Sequence, residues 1–153
     1  MNVLQRSLRR FFAEGFAETR PDAFDPRLRG RTYSIPFEDV WQAALALASG
    51  GVRGCAVMRA NDRDGIIIGK ATRRFPPGVD DITISVILDT DGQTRVDARS
   101  VARNEGIDLG ANARRVIRFF QQLDKLSAEY YRNRVGPSRQ PVRQDPDTAV
   151  AGD

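Results

Sequence analysis

Thr94–Phe120 reads TRVDARSVARNEGIDLGANARRVIRFF, and its change of period halfway along decides the fold. From Arg95 to Arg103 the residues alternate. Val96, Ala98, Ser100 and Ala102 point one way; Arg95, Asp97, Arg99 and Arg103 point the other. A period of two is that of a strand with one buried face. The inward side chains are small, so a bulky element can lie close against them. The following helix is the natural candidate. After Asp108, the apolar positions Leu109, Ala113, Val116, Phe120 and Leu123 recur at helical spacing. Asp108 stands where an N-cap carboxylate would accept the free amides of the first turn. Gly106 and Gly110 flank that start.

Working back from this stretch, Val79–Leu88 also alternates. Ile82, Ile84, Val86 and Leu88 are expected inside, and Asp81, Thr83 and Ser85 outside. Thr90-Asp91-Gly92 fits a three-residue hairpin with Gly92 in the left-handed position. That turn sets the register: Asp89 opposes Gln93, and Asp81 opposes Val101. Arg99 and Arg103 then lie on the two diagonals from Asp81, about 7–8 Å away and within reach of an arginine. Asp81, Arg99 and Arg103 are therefore expected as one charged cluster on the outer face. Asp80 points inward with Ser100, toward the sheet end where Asp108, Asn112 and Arg115 begin the helix. These eight residues are the candidate binding positions.

The rest of the chain supplies the partners of that hairpin. Residues 1–20 carry an apolar stripe of Val3, Leu4, Leu8, Phe11 and Phe12 beside Arg6, Arg9 and Arg10, which predicts an amphipathic helix over 1–20. Residues 21–30 hold two prolines and a glycine and read as a linker. Arg31–Ile35 is a short strand. Pro36 sits at a helix start, with Glu38 and Asp39 at its positive end. Phe37, Val40, Trp41, Ala44, Leu45, Leu47 and Ala48 form a buried helix face, which Gly50 and Gly51 stop. Cys55–Ala60 and Ile66–Arg74 are strands about the turn Asn61-Asp62-Arg63-Asp64-Gly65. The last helix is expected to end near Tyr131. Residues 133–153, rich in proline and poor in large apolar side chains, read as a disordered tail. Residues 31–132 then form one α+β domain of order β-α-β-β-β-β-α. An antiparallel meander packs one face against a long C-terminal helix and a shorter helix, in helix-grip manner.

Composition narrows the chemistry. The chain has 153 residues and no histidine, so the commonest general base and metal ligand are missing. No metal site and no cofactor are expected. Cys55 is the single cysteine, which rules out an internal disulfide and reads as a small buried hydrophobe. The net charge is +4, almost all from arginine spread along the chain. That balance admits an anionic surface as partner, but no nucleic-acid motif accompanies it, so nucleic acid is not expected. Residues 1–20 lack the h-region of a signal peptide and are too short and charged to span a bilayer. They suit docking on the domain, a partner protein or an anionic membrane surface. The expected location is cytoplasmic, with peripheral membrane contact.

Several stretches together resemble a known family. RTYSIPFEDVWQAALAL, DGIIIGKATRRF, VDDITISV and the Thr94–Phe120 segment resemble the bacterial and chloroplast domain-of-unknown-function 1499 family across about residues 27–126. Its late motif, an Arg-Ser pair, a further Arg, then Asp-Leu-Gly and Asn-Ala-Arg-Arg, falls on Arg99, Ser100, Arg103, Asp108, Leu109, Gly110, Asn112, Arg114 and Arg115. Its acidic pair falls on Asp80 and Asp81. The chain departs from the family at Ala102, where a serine is usual, and at Asn104–Ile107. The resemblance implies the fold and leaves the activity open.

Two functions fit these residues. One is a non-enzymatic ligand-binding or protein-assembly module. The other is an enzyme for a small anionic substrate, with Asp80, Asp81 or Asp108 as acid–base and Arg99, Arg103 and Arg115 as an anion clamp. An open pocket lined by Asp80, Asp108, Asn112 and Arg115 would favour the enzyme; their closure into buried pairs would favour the module.

Overall fold

In the computed structural model, which describes residues 15–104 and 107–136, the strands are β1 (Phe16–Glu18), β2 (Arg31–Tyr33), β3 (Cys55–Asn61), β4 (Ile66–Arg74), β5 (Pro77–Leu88) and β6 (Thr94–Ala102). The helices are α1 (Phe37–Ala46) and α2 (Ala111–Val135). A 3-10 turn covers Pro26–Leu28, and a π-turn covers Leu47–Gly51. The strands form one antiparallel sheet of order β1-β6-β5-β4-β3, and β2 pairs with the other stretch of the β6 edge. This is the expected α+β architecture, with one strand more than the β-α-β-β-β-β-α order.

Both helices cover the same sheet face. α2 packs on β6 and β1 and against α1, and α1 reaches β5. Ile67 and Ala71 from β4, Ile84 and Val86 from β5, and Val96 and Ala98 from β6 are buried there. Val116, Phe119, Phe120 and Leu123 face them from α2. The helix can lie close because Ala71, Ala98 and Ser100 are small. Trp41 is a core anchor, stacked on Phe37 with ring centroids 5.8 Å apart. The hairpin register is as expected: Asp81 pairs with Val101, and Asp89 donates its amide to the Gln93 carbonyl. Gly92 has φ 80°.

Five expectations change. The helix expected over 1–20 is not helical where it is described, because Phe16–Glu18 is a strand antiparallel to Val101–Arg99. Without it the β6 edge would leave backbone groups unpaired, and that tertiary demand outweighs an isolated helical pattern. Residues 1–14 lie outside the described residues. The linker over 21–30 is packed: Ala23 and Leu28 are buried, and Asp25 caps the 3-10 turn through the Arg27 amide. Hydrogen bonding to the Arg27 side chain holds the Asp25 carboxyl below its ordinary pKa. α2 begins at Ala111, so Leu109 is not on its buried face. Leu109 is exposed at φ 51°, and with Gly110 it carries the chain through two left-handed residues. Leu88, expected inside, is exposed beyond the helical cover. Finally, α2 runs to Val135, past the expected start of the tail at 133. Arg134 is held there by a two-pronged bond to Asp39 on α1, 2.7 and 2.9 Å. Residues 137–153 lie outside the described residues.

β1 belongs to the cooperative unit: Ala17 is buried, and the Thr19 hydroxyl receives the Ala98 amide and donates to Asp97. Deleting residues 1–20 is expected to lower the unfolding free energy by about 2 kcal/mol or more, from lost burial and ladder bonds, and so to lower the urea midpoint clearly. An unchanged midpoint would place β1 outside the fold.

Candidate functional site

Strand parity puts Asp80 on the helix-covered face of β5, where its carboxylate is fully buried. Two arginines meet it. Arg73, on the neighbouring strand β4, donates Nε to both carboxylate oxygens at 2.8 Å and one terminal nitrogen to the Pro76 carbonyl at 2.8 Å. Arg115, one turn into α2, brings a terminal nitrogen to 2.8 Å from the same carboxylate. The Arg73 and Arg115 side chains are themselves only 9% and 12% exposed, so the three form a buried ion triad rather than a surface pair.

The triad continues into a neutral network. Arg115 also donates to the Ser100 hydroxyl at 3.0 Å and to the Asn112 carbonyl oxygen at 2.9 Å. Ser100 donates to the same Asn112 oxygen at 2.6 Å. The Asn112 amide nitrogen donates to Asp108 at 2.7 Å and to the Gly15 carbonyl at 3.2 Å, which ties the start of α2 to the start of β1. Asp108 accepts the backbone amides of Gly110 and Asn112 at 3.0 and 2.9 Å. It therefore does the work expected of an N-cap, from two residues before the formal cap at Gly110. Among the described residues no buried side-chain nitrogen or oxygen lacks a partner.

The eight candidate residues thus separate. Asp80, Ser100, Asp108, Asn112 and Arg115 meet in one buried network. Asp81 and Arg103 pair on the outer face, 2.6 Å apart, and that hydrogen bond raises the Arg103 pKa. Arg99 does not join them: it is exposed on the same outer face, with no ion partner among the described residues. The residue missing from the expected set is Arg73. Its signal was parity, since Ile67, Gly69, Ala71 and Arg73 alternate onto the inner face of β4. Gly78, opposite Arg73, makes room for it; a Cβ at 78 would stand 2.6 Å from the guanidinium.

Beside this network lies a cavity of about 20 Å³ between sheet and α2, walled by Cys55, Ile84, Ala98 and Phe119, with Ser100 and Arg115 at one side. A space of roughly 10–15 Å³ holds one water, so this one is water-sized. Burial pushes the Cys55 thiol pKa up; Arg115 draws it down less, and Asp80 adds to the rise. The thiolate is the reactive form, so burial makes this thiol a poor nucleophile. Among the described residues no cluster of three or more His, Cys, Asp or Glu is placed to hold a metal. No helix among them is long and apolar enough to cross a membrane.

Comparison with known proteins adds the family. The model described as "Protein of unknown function (DUF1499)" matches residues 11–123. The chain belongs to this DUF1499 family. The match spans β1 through most of α2, and so includes the whole buried network. No curated protein matches the chain. Among solved structures, the crystal structure of CalU16 from Micromonospora echinospora is similar at 10% identity and a TM-score of 0.43, covering 78% of this chain and 93% of that one.

Removing the central charge should be worse than removing one of its partners. Asp80→Asn leaves two buried arginines facing a neutral amide, expected to cost about 3–5 kcal/mol. Arg115→Ala leaves Asp80 still held by Arg73 and is expected to cost about 1–3 kcal/mol. Chemical denaturation of both variants checks the order; a larger loss in Arg115→Ala would show that Arg73 is the weaker partner.

Proposed function

We propose that this chain is a non-enzymatic binding and assembly module that works through its surface. The observation that supports this reading is the closure of the Asp80 network. Asp80 is shared by Arg73 and Arg115, both nearly buried, while Asp108 is held by Asn112 and two backbone amides; the formal charge of these four groups sums to zero, and among the described residues no buried side-chain nitrogen or oxygen lacks a partner. A general acid or base needs a reachable substrate proton, and an anion clamp needs unspent donors. The adjoining cavity, about 20 Å³, is water-sized and lined mainly by apolar side chains. The same contacts account for the network as a brace joining β1, β4, β5, β6 and α2, which needs no substrate to explain it. Such a module suits a cytoplasmic location with peripheral contact at a membrane surface.

Melting curves of wild type and Arg115→Ala in inorganic phosphate, acetate and succinate, against chloride at matched ionic strength, test the reading. The expected result is no anion-specific shift in wild type. A ligand present at about 100 times its Kd would add roughly 2.7 kcal/mol. A saturable shift of that kind, abolished by Arg115→Ala, would restore the alternative of an enzyme or anion site with Asp acid–base and Arg clamp.

A further inference from the structure

The two ends of the sheet carry opposite charge. At one end lie the β3–β4 and β5–β6 turns and the start of α1, where Asp62, Asp64, Asp89, Asp91, Glu38 and Asp39 outnumber Arg63 and the two arginines that end α2, Arg132 and Arg134. At the other end β4, β6 and α1 finish and β1, β5 and α2 begin. The exposed charges there are Arg53, Arg74, Arg103 and Arg114. The acids facing them are few. Asp80 and Asp108 are buried in the network, Asp81 is paired with Arg103, and Glu105 follows in the sequence of the β6–α2 connection.

Large apolar side chains stand among these arginines. Phe75, at the β4–β5 turn, is 81% exposed; Ile107 and Leu109, before α2, are 62% and 51% exposed. The two loops are neighbours, because the Arg103 amide bonds to the Val79 carbonyl at 2.9 Å. Burying such groups in a soluble core was open to the fold and did not happen. Leu109 is instead held outward by a left-handed backbone that Asp108 stabilises from within.

The chain outside the described residues joins the fold at this same end. Gly15 is fixed by the Ala102 amide at 2.6 Å and by Asn112 at 3.2 Å. Residues 1–14, attached there, have the sequence MNVLQRSLRRFFAE, with three arginines and the apolar residues Val3, Leu4, Leu8, Phe11 and Phe12. Arginines interleaved with aromatic and aliphatic side chains are the composition of segments that rest at a lipid headgroup boundary. An acidic protein would match the arginines but has no general use for Phe75 and Leu109 projecting singly from two loops. A nucleic acid would leave the aliphatic side chains in water.

We infer that this end of the molecule, with Phe75, Ile107, Leu109, Arg53 and Arg74, docks on an anionic lipid bilayer surface. The acidic turns then point away from it. The inference deepens the surface-module reading and rests on it, but its readout is different: vesicle partitioning rather than anion-dependent melting. Failure here would leave that reading standing, and an anion-dependent shift there would leave the lipid result to be judged by itself.

Flotation of the full chain with vesicles tests it. Vesicles of phosphatidylcholine with phosphatidylglycerol should carry the protein upward, pure phosphatidylcholine should carry much less, and half-molar salt should release it. Each basic residue near such a surface is worth about a fivefold change in partitioning, so Arg53→Glu with Arg74→Glu should weaken binding by at least tenfold. Phe75→Asp with Leu109→Asn should do likewise; asparagine suits the left-handed backbone at 109, so folding is kept, as circular dichroism would verify. Arg63→Glu, at the acidic end, changes net charge as much as either single reversal and should leave binding within about twofold. No flotation with anionic vesicles would overturn the inference, as would an equal loss in Arg63→Glu. Retention on a soluble polyanion such as heparin without vesicle binding would also overturn it and assign the end to a polyanionic partner.

Discussion

The buried carboxylate of Asp80 is the constraint on which the rest of the structure depends. A charge of that kind is tolerated away from water only when it is paired and its lone pairs are filled. Asp80 meets the condition by drawing one arginine from the neighbouring strand and one from α2. The position of α2 over the sheet is therefore set by more than apolar contact. A helix sliding on Ala98 and Ile84 would lose little by a small shift; Arg115 leaving Asp80 would lose a great deal. Small side chains at Ala71, Ala98 and Ser100 permit the close approach, and Gly78 leaves the space that Arg73 occupies.

The brace has a consequence for where function can reside. Asp108, Asn112 and Ser100 spend their donors and acceptors on one another, on Arg115 and on the backbone of Gly15 and Gly110. Polar groups so committed hold geometry and have nothing left for a substrate. The chemistry available to a partner is displaced outward. It lies on the uncovered sheet face, where Arg99 is exposed, and at the two ends of the sheet, where loop sequence rather than core packing decides which side chains stand out.

Much of the fold was legible because period and turn chemistry are local properties. The hairpin at Thr90–Gly92 determined which residues oppose one another, and so placed Asp81 against Val101 and Asp80 on the inner face. The same parity, extended along β4, would have placed Arg73 beside Asp80. Arginine is so often a surface residue that its inward position in a strand carries little weight until a buried carboxylate is known to face it. Arg99 is the converse case. Its diagonal distance to Asp81 was within reach, but Arg103 shares that carboxylate and sits at the strand end, where it is free to turn onto it.

By itself the sequence determined the alternation of β4, β5 and β6, the helical faces of α1 and α2, and the inward direction of Asp80, because each follows from a spacing of a few residues. Only the tertiary structure decided that Phe16–Glu18 is a strand, that residues 21–30 are packed and that Leu109 faces out. An edge strand forms because a particular open edge is near it, and that edge belongs to residues some eighty positions away in the chain. The closed Asp80 network is of the same kind. Its members come from β4, β5, β6 and α2, with the Gly15 carbonyl at the start of β1, and no local pattern says that these side chains will meet one another.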